Sequence, residues 1–325
     1  MSQSALYLGS RCPPNMEAYL DSLLYQTREE ELWFELIVVG NCRVPVWLTD
    51  ADRISVTRYS APQKTGFERA RITANVVRRY LRENDPDTIR QITQPRWHAP
   101  GVLAGAIGSD VRGYTRASAS LFGEYREAPS PVRAWLANNA LGRSIFLSDA
   151  VYTPRYGGVE VPWWAPADIV REERTVNGDR FSPEVAPRED LFSQDCDRVL
   201  TVGRISRRKG TDLLLKVAKR LNTAEFVVVG AVGDKNLAAR LDDSSNVRRY
   251  PPVNYIEMPE LYAASDLVLS VSRLEWGGVS RAMLEGKATG LPVIALDRKE
   301  AGSVANTTVQ EDPDAIADAV RRILG

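Results

Sequence analysis

The stretch that decides the fold is Val199-Leu200-Thr201-Val202-Gly203-Arg204-Ile205-Ser206-Arg207-Arg208-Lys209-Gly210-Thr211-Asp212. A short apolar run that stops at a glycine predicts a buried strand over 199–203. Apolar residues at helical spacing follow it and predict a helix over 211–221, at Leu214, Leu215, Ala218 and Leu221. A strand, a glycine-containing loop and a helix in this order are typical of a parallel α/β sheet.

The same alternation extends in both directions from this stretch. Downstream, apolar runs predict strands over 226–230, 267–270 and 292–295, and helical spacing predicts helices over 258–264, 282–289 and 315–324. Upstream, the predicted strands cover 5–8, 36–39, 54–57, 88–93, 111–115 and 144–147, and the predicted helices cover 16–25 and 67–82. Both halves of the chain therefore read as α/β domains.

The segment from Asp149 to Asp197 lacks periodicity and is rich in Pro, Gly, Trp and charge, so we expect it to cross between domains. We predict an N-terminal Rossmann-like domain at 1–175, an inter-domain linker at 176–197 and a C-terminal Rossmann-like domain at 198–325. The predicted fold class is α/β, with two doubly wound domains that face each other across a cleft. Ligands bind at such strand ends in open α/β sheets.

Composition narrows the class of protein. The 325 residues suffice for two domains, and Lys+Arg 42 against Asp+Glu 42 gives a net charge of zero, so no nucleic-acid partner is expected. Three cysteines predict no disulfide framework, and the start carries no signal-peptide pattern, which favours the cytoplasm. The Arg-rich face of helix 67–82, with Trp163 and Trp164, leaves open contact with the cytoplasmic face of a membrane. The oligomeric state stays open.

Two loops carry candidate chemistry. In the first, four cations crowd into residues 204–209 between Gly203 and Gly210, which suits a bound diphosphate, although a solvated basic loop is the plain alternative. In the second, the pair Gly277 and Gly278 precedes a helix that carries Glu285. Paired glycines allow close backbone approach to a ligand, and an acidic residue can accept hydrogen bonds from ribose hydroxyls.

Together these loops resemble those of retaining nucleotide-sugar glycosyltransferases of the GT-B fold, glycosyltransferase family 4 (glycosyl transferases group 1). The resemblance covers about residues 176–324. It rests on ordered matches at Val176-Asn177-Gly178-Asp179, Val202-Gly203-Arg204, Lys209-Gly210, Leu261-Tyr262-Ala263-Ala264-Ser265-Asp266-Leu267, Ser272-Arg273-Leu274-Glu275, Glu285, and Gly290-Leu291-Pro292-Val293-Ile294-Ala295. The first half matches only in outline.

The resemblance implies roles for individual residues. Arg204 and Lys209 would stabilise the departing diphosphate without a metal, and Glu285 would hold the ribose. The other implied donor contacts are Gly203, Gly277, Gly278 and Val279 near the phosphates and sugar, Val253 near the base, and Gly9 and Ser10 in the first domain. The implied donor is a UDP- or GDP-sugar, the acceptor a hydroxyl compound, and no cofactor is implied. The pairs Asp50/Asp52, Asp85/Asp87 and Asp312/Asp314 are interpreted as turn residues, not metal ligands.

The sequence departs from the family in two places. Family members place seven residues between two glutamates, whereas nine separate Glu275 from Glu285, so either Glu275 or Gly277 stands at the first glutamate position. A histidine usual in the first domain is absent. His98, in a loop expected to face the cleft, is the candidate in its place, and Arg116 and Arg96 are candidate acceptor contacts. The alternatives to a transferase are a GT-B sugar-nucleotide epimerase or hydrolase, and a non-catalytic nucleotide-sugar-binding subunit.

Overall fold

The computed structural model describes residues 2–62, 64–117, 132, 142–154, 163–192, 196–275, 279–298 and 300–325. The chain divides into two compact units, residues 1–173 and 174–325. The predicted linker 176–197 falls in the second unit, where the Phe181 ring is fully buried against the rings of Tyr255 and Tyr262. That this segment connects two domains stays a prediction.

The described part of the first unit holds a seven-stranded parallel sheet in the order β3-β2-β1-β4-β5-β6-β7. Its strands are β1 (Ser2–Gly9), β2 (Leu32–Val39), β3 (Ile54–Tyr59), β4 (Thr88–Gln91), β5 (Arg112–Arg116), β6 (Ala150–Pro154) and β7 (Asp168–Glu172). Its helices are α1 (Pro14–Gln26), α2 (Val46–Thr49), α3 (Gly66–Glu83) and α4 (Pro95–Ala106). One apolar cluster packs α1 against the sheet, and a second packs α3 and α4 against it.

The edge of this sheet differs from the sequence prediction. Residues 144–147 were expected to form a strand, but they lie in a 3₁₀ helix, Gly142–Leu147. The last two strands, β6 and β7, fall instead in the stretch that lacks periodicity. The segment Asp168–Glu172 forms the edge strand and has only two apolar residues, Ile169 and Val170, so its apolar content is too low to signal a buried strand.

The described part of the second unit holds a six-stranded parallel sheet in the order β10-β9-β8-β11-β12-β13. Its strands are β8 (Asp197–Val202), β9 (Ala224–Val229), β10 (Val247–Tyr250), β11 (Leu267–Ser270), β12 (Val293–Leu296) and β13 (Thr307–Val309). Its helices are α5 (Thr211–Ala218), α6 (Lys235–Asp242), α7 (Met258–Ala263), α8 (Arg281–Ala288) and α9 (Pro313–Leu324).

Both sheets confirm the predicted fold class of two doubly wound, Rossmann-like domains. In each sheet the chain first builds outward on one side and then returns to the other side of the first strand. The order therefore reverses between β1 and β4 in the first unit and between β8 and β11 in the second. Because the strands are parallel, their carboxyl ends share one edge, and ligands bind at the reversal point of such sheets.

A glycine permits the close approach on which this edge depends in the second unit. Gly210 precedes α5 with φ +76°, and a Cβ atom there would lie 1.9 Å from the carbonyl oxygen of Val271. The left-handed backbone and the contact each disfavour a side chain. The loop after β8 can therefore lie directly on the segment that follows β11.

We expect Gly210→Ala to lower the free energy of unfolding of the second unit by at least about 2 kcal/mol, because backbone strain and steric overlap add. Urea denaturation followed by circular dichroism measures this. Gly302→Ala is the matched control, since a Cβ at Gly302 would meet nothing within 4 Å. Equal stability of the two variants would contradict the proposed constraint.

Candidate functional site

A pocket opens at the carboxyl ends of β8 and β11, where the sheet order reverses. Two loops and the strand ends line it, through Thr201, Val202, Gly203, Arg204, Lys209, Thr211, Val228, Ser270, Val271, Ser272, Glu275 and Ser280. The structure thus brings together four of the predicted site residues: Gly203, Arg204, Lys209 and Glu275. They come from segments about seventy positions apart in the sequence.

Arg273 joins the two loops, a role that the sequence did not reveal. Its guanidinium donates to the carboxylate of Asp212 at 2.6 and 3.1 Å and to the carbonyl of Arg207 at 2.6 Å. Its backbone N–H donates to the carbonyl of Arg208 at 2.9 Å. Partial burial opposes ionisation of Asp212, but the bonds to Arg273 outweigh it and lower the pKa of this carboxyl. Arg273 therefore fixes the loop that carries Lys209.

The two cations that line the pocket, Lys209 and Arg204, differ in whether they form an ion pair. The ammonium of Lys209 donates to the carboxylate of Glu275, and both side chains are largely buried. Arg204 is exposed at the pocket and its guanidinium forms no ion pair with any described residue. One cation is thus held by an internal carboxylate while another remains available to an anion.

Glu285 lies on α8 and is not among the residues that line the pocket. Its side chain is buried, with 4% of the residue exposed, and Oε2 accepts a hydrogen bond from the Tyr262 hydroxyl at 2.7 Å. Burial and the neighbouring Glu285 carboxylate raise the pKa of Tyr262 well above its usual value, so the phenol stays a donor. The helix that carries Glu285 begins at Ser280, whose hydroxyl accepts from the N–H of Met283.

The remaining predicted donor contacts lie in different surroundings. Gly277 and Gly278 are outside the described residues. Val279 is buried, and its carbonyl accepts a hydrogen bond from Arg174 at 2.9 Å. Val253 is partly exposed and follows β10 by three residues. Whether these residues contact a donor stays a prediction, as does the choice between Glu275 and Gly277. Glu275 lines the pocket with Lys209.

In the first unit, His98 is buried and packs against neighbouring side chains and backbone. We expected it in a loop, but it lies on α4 and is only 2% exposed. Its ring packs on Gly9, where a Cβ would come within 2.6 Å of Cε1, and it meets the Tyr7 ring edge-on at 5.1 Å. Thr93 Oγ1 donates to the carbonyl of Leu8 and so accepts from His98 Nδ1 at 3.0 Å, which leaves the lone pair on Nε2.

The two candidate acceptor arginines and Ser10 have defined positions in the first unit. Arg116 is the last residue of β5, and 9% of its side chain is exposed, beside Glu172. Arg96 lies in the first turn of α4 and is partly buried. Ser10 follows β1 and is partly exposed. Arg116 therefore lies at the carboxyl edge of its sheet, and whether it or Arg96 contacts an acceptor stays a prediction.

Within the described ranges, no group of three or more His, Cys, Asp or Glu side chains is placed to hold a metal ion. None of the described helices is both long enough and apolar enough to cross a bilayer. The predictions of a metal-free reaction and of a cytoplasmic protein stay predictions.

The environment of His98 predicts a pH effect on stability. Burial, with a smaller contribution from the charge of Arg69, lowers the pKa of His98 from 6.5 to about 3. Below pH 6.5 His98 is protonated in the unfolded chain but stays neutral in the folded chain until about pH 3. The free energy of unfolding therefore decreases as pH falls through this range.

We expect wild type to lose up to ~1.4 kcal/mol per pH unit relative to His98→Gln between about pH 6 and pH 4. Denaturant unfolding of both proteins at each pH measures the difference. His98 is the only histidine of the chain, so no second imidazole contributes. Parallel pH profiles for the two proteins would contradict a buried, neutral His98.

Comparison with known proteins agrees with this architecture. Residues 196–325 match the family model described as glycosyl transferases group 1. A D-inositol 3-phosphate glycosyltransferase of Geodermatophilus obscurus is 32% identical over 175 residues, which cover 46% of this chain and 38% of that relative. The matched region thus spans well under half of the length of the relative.

Solved structures resemble the whole chain. A sucrose-phosphate synthase from Thermosynechococcus elongatus matches with a TM-score of 0.73 at 15% identity, covering 100% of this chain and 90% of that one. A UDP-GlcNAc 2-epimerase from Neisseria meningitidis, bound to UDP-GlcNAc, matches with a TM-score of 0.59 at 15% identity, covering 99% and 91%. The expected resemblance is confirmed: the chain resembles the glycosyl transferases group 1 family, and its two Rossmann-like units are those of the GT-B fold.

Proposed function

We propose that this chain is a retaining glycosyltransferase that moves a sugar from a UDP- or GDP-sugar to a hydroxyl acceptor. The observation that carries the proposal is the pocket at the ends of β8 and β11, where Arg204 and Lys209 converge beside Gly203. Guanidinium and ammonium groups at a strand–helix junction suit a diphosphate. The family-model match to the second unit and the inositol phosphate glycosyltransferase relative support the same reaction class.

In the proposed reaction, the main role of the pocket is to stabilise negative charge on the leaving phosphate. The bond between the anomeric carbon and the β-phosphate oxygen breaks, and its electron pair leaves with the nucleoside diphosphate. The acceptor oxygen forms the new bond on the same face of the sugar, and its proton passes to the departing phosphate. Arg204 and Lys209 would stabilise the charge that develops on the phosphate, an electrostatic role that fixed cations perform well in a partly buried site.

The ion pair between Lys209 and Glu275 bears on how a donor would bind. The Glu275 carboxylate balances the charge of the ammonium. A diphosphate offers more negative charge than one carboxylate, so we expect Lys209 to turn toward it when a donor enters. Glu275 would then be released toward the donor sugar, whose hydroxyls can donate to it.

Arg204→Ala and Lys209→Ala test the leaving-group role. We expect each to lower kcat about 10²–10³-fold, the typical cost of removing one group that stabilises transition-state charge. Donor consumption and nucleoside diphosphate release, measured with a panel of UDP- and GDP-sugars, supply the rates. Arg207→Ala is the control from the same loop, because Arg207 is exposed and does not line the pocket. Wild-type rates in both test variants would overturn the assignment.

Tyr262→Phe tests the assignment of the ribose to Glu285. The variant loses the hydroxyl that orients the carboxylate, so we expect the Kd of the nucleoside diphosphate to rise about tenfold. The 2′-deoxy nucleotide lacks one hydroxyl that Glu285 would accept from, so its Kd should change less. Calorimetric titration of both nucleotides into both proteins gives the comparison. An equal change for the ribo and deoxy ligands would mean that Glu285 does not bind the ribose.

A second candidate function is a sugar-nucleotide epimerase or hydrolase, which the structural likeness to a UDP-GlcNAc 2-epimerase favours. Such an enzyme would use the same nucleotide pocket but no acceptor. Incubation with the donor alone separates the two: free nucleotide or an isomeric sugar nucleotide would favour the second candidate, and turnover that depends on an added acceptor would favour transfer.

A further inference from the structure

A second group of cationic side chains lies in the first unit, at the carboxyl edge of its sheet. Arg90 on β4 and Arg116 at the end of β5 flank Glu172, the last residue of β7. We call Arg90 and Arg116 the arginine pair. Their side chains are 12% and 9% exposed, and that of Glu172 is 23% exposed. The group is thus mostly buried but open on the carboxylate side.

The Glu172 carboxylate makes only long contacts with the arginine pair. Arg90 Nη1 lies 3.5 Å from Glu172 Oε1, and Arg116 Nε lies 3.4 Å from Oε2. Strong charge-assisted bonds are 2.7–2.9 Å long, so both contacts are loose. Arg90 Nη1 also reaches the Tyr19 hydroxyl at 3.2 Å, while Arg90 Nε is buried without a hydrogen-bond partner. Two guanidinium groups carry ten N–H donors, and most of these find no acceptor among the described residues.

Aromatic rings hold the two guanidinium planes in place. Arg90 stacks over the Tyr152 ring at 3.6 Å from its centroid, and Arg116 stacks over the Tyr19 ring at 3.8 Å. Stacking fixes a guanidinium through its face and leaves the N–H groups at its rim free to donate. The donors are therefore positioned before any ligand arrives.

The charges of the described residues in this group do not balance. Two guanidinium ions and one carboxylate leave a net charge of +1 among Arg90, Arg116 and Glu172. A buried charge without a full partner is unfavourable, so a bound anion would stabilise the arrangement. A carboxylate offers two oxygens and would satisfy one guanidinium fork. A phosphate monoester offers three terminal oxygens and up to two negative charges, enough for both forks.

We propose that the arginine pair binds the phosphate monoester of the acceptor. The identification as an acceptor site rests on the proposed glycosyltransferase function, but the binding of phosphate does not. The assignment makes the acceptor a phosphorylated hydroxyl compound, either a free polyol phosphate or a lipid with a phosphate monoester headgroup. Tyr19 and Tyr152 belong to the site because they position the arginine pair, and Glu172 tunes its charge.

Titration calorimetry of glycerol 3-phosphate into the full chain tests the site. We expect Arg116→Gln to weaken binding at least tenfold, because it removes one fork and one charge. Glu172→Gln is the decisive variant: it raises the net charge from +1 to +2, so binding should tighten severalfold, a gain that a folding defect cannot produce. Arg71→Gln, on the exposed face of α3, is the matched control and should bind like wild type.

Phosphate could also bind at Arg204 and Lys209, so the titrations are repeated in Lys209→Ala. Binding that persists there and follows the Arg116 and Glu172 substitutions supports the proposal. Binding that Arg116→Gln leaves unchanged, or no tightening in Glu172→Gln, overturns it. Retention of this pattern in a protein that turns over no sugar nucleotide would reject the proposed function while keeping the phosphate site.

A second experiment distinguishes a phosphate on a lipid from a phosphate on a soluble compound. Sedimentation with phosphatidylcholine vesicles that contain phosphatidic acid measures binding to a lipid phosphate monoester. Stronger Arg116-dependent binding to these vesicles than to glycerol 3-phosphate would assign a lipid acceptor, and the reverse would assign a soluble one. Binding to neither probe would overturn the proposal.

Discussion

The candidate site of the second unit depends on one close backbone approach. Gly210 brings the loop after β8 against the carbonyl of Val271, at the start of the loop after β11. Only a residue without a side chain permits this contact at a positive φ. Once the loops touch, Arg273 joins them through Asp212 and the carbonyl of Arg207. Lys209 and Glu275, which these two loops carry, form an ion pair at the pocket.

This constraint explains why the pocket is suited to binding a transition state more strongly than a substrate. Fixed cations stabilise charge that develops during a reaction without first having to reorganise. The carboxylate of Glu275 compensates the charge of Lys209, whereas Arg204 is exposed and forms no ion pair with any described residue. In the first unit the same chemistry recurs in another form, since aromatic rings position the arginine pair while Glu172 compensates only half of its charge.

The sequence predicted four of the six described strands of the second unit, because β8, β9, β11 and β12 are short and apolar, but it missed the more polar strands β10 and β13 and the helix α6. Leu267–Ser270 matches the structure residue for residue, and the helix after Gly210 begins where predicted. Prediction was wrong at 144–147 and missed β6 and β7. The edge strand β7 has no buried residue, and the inner strand β6 is buried but only five residues long and mixed in composition, so neither gives a clear apolar pattern. It also placed His98 in a loop, yet His98 lies on α4, which begins at Pro95 and contains Pro100, a residue that disfavours a helix interior.

The site was predictable in its charges but not in their pairing. Crowded cations between two glycines indicated Arg204 and Lys209, but ion pairs formed over sixty or more positions leave no local signal. Arg273, Tyr262 and Arg90 were therefore missed. Tyr262 contacts the predicted residue Glu285, Arg90 shares the Glu172 carboxylate with the predicted residue Arg116, and Arg273 binds the loop that carries Lys209.

A crystal structure of the chain with bound UDP or GDP tests the central assignment most directly. Diphosphate binding at the loop after β8 predicts phosphate oxygens within hydrogen-bond distance of Arg204 and Lys209, with the contact between Lys209 and Glu275 broken. A nucleotide bound elsewhere, with that contact intact and the pocket empty, would contradict it.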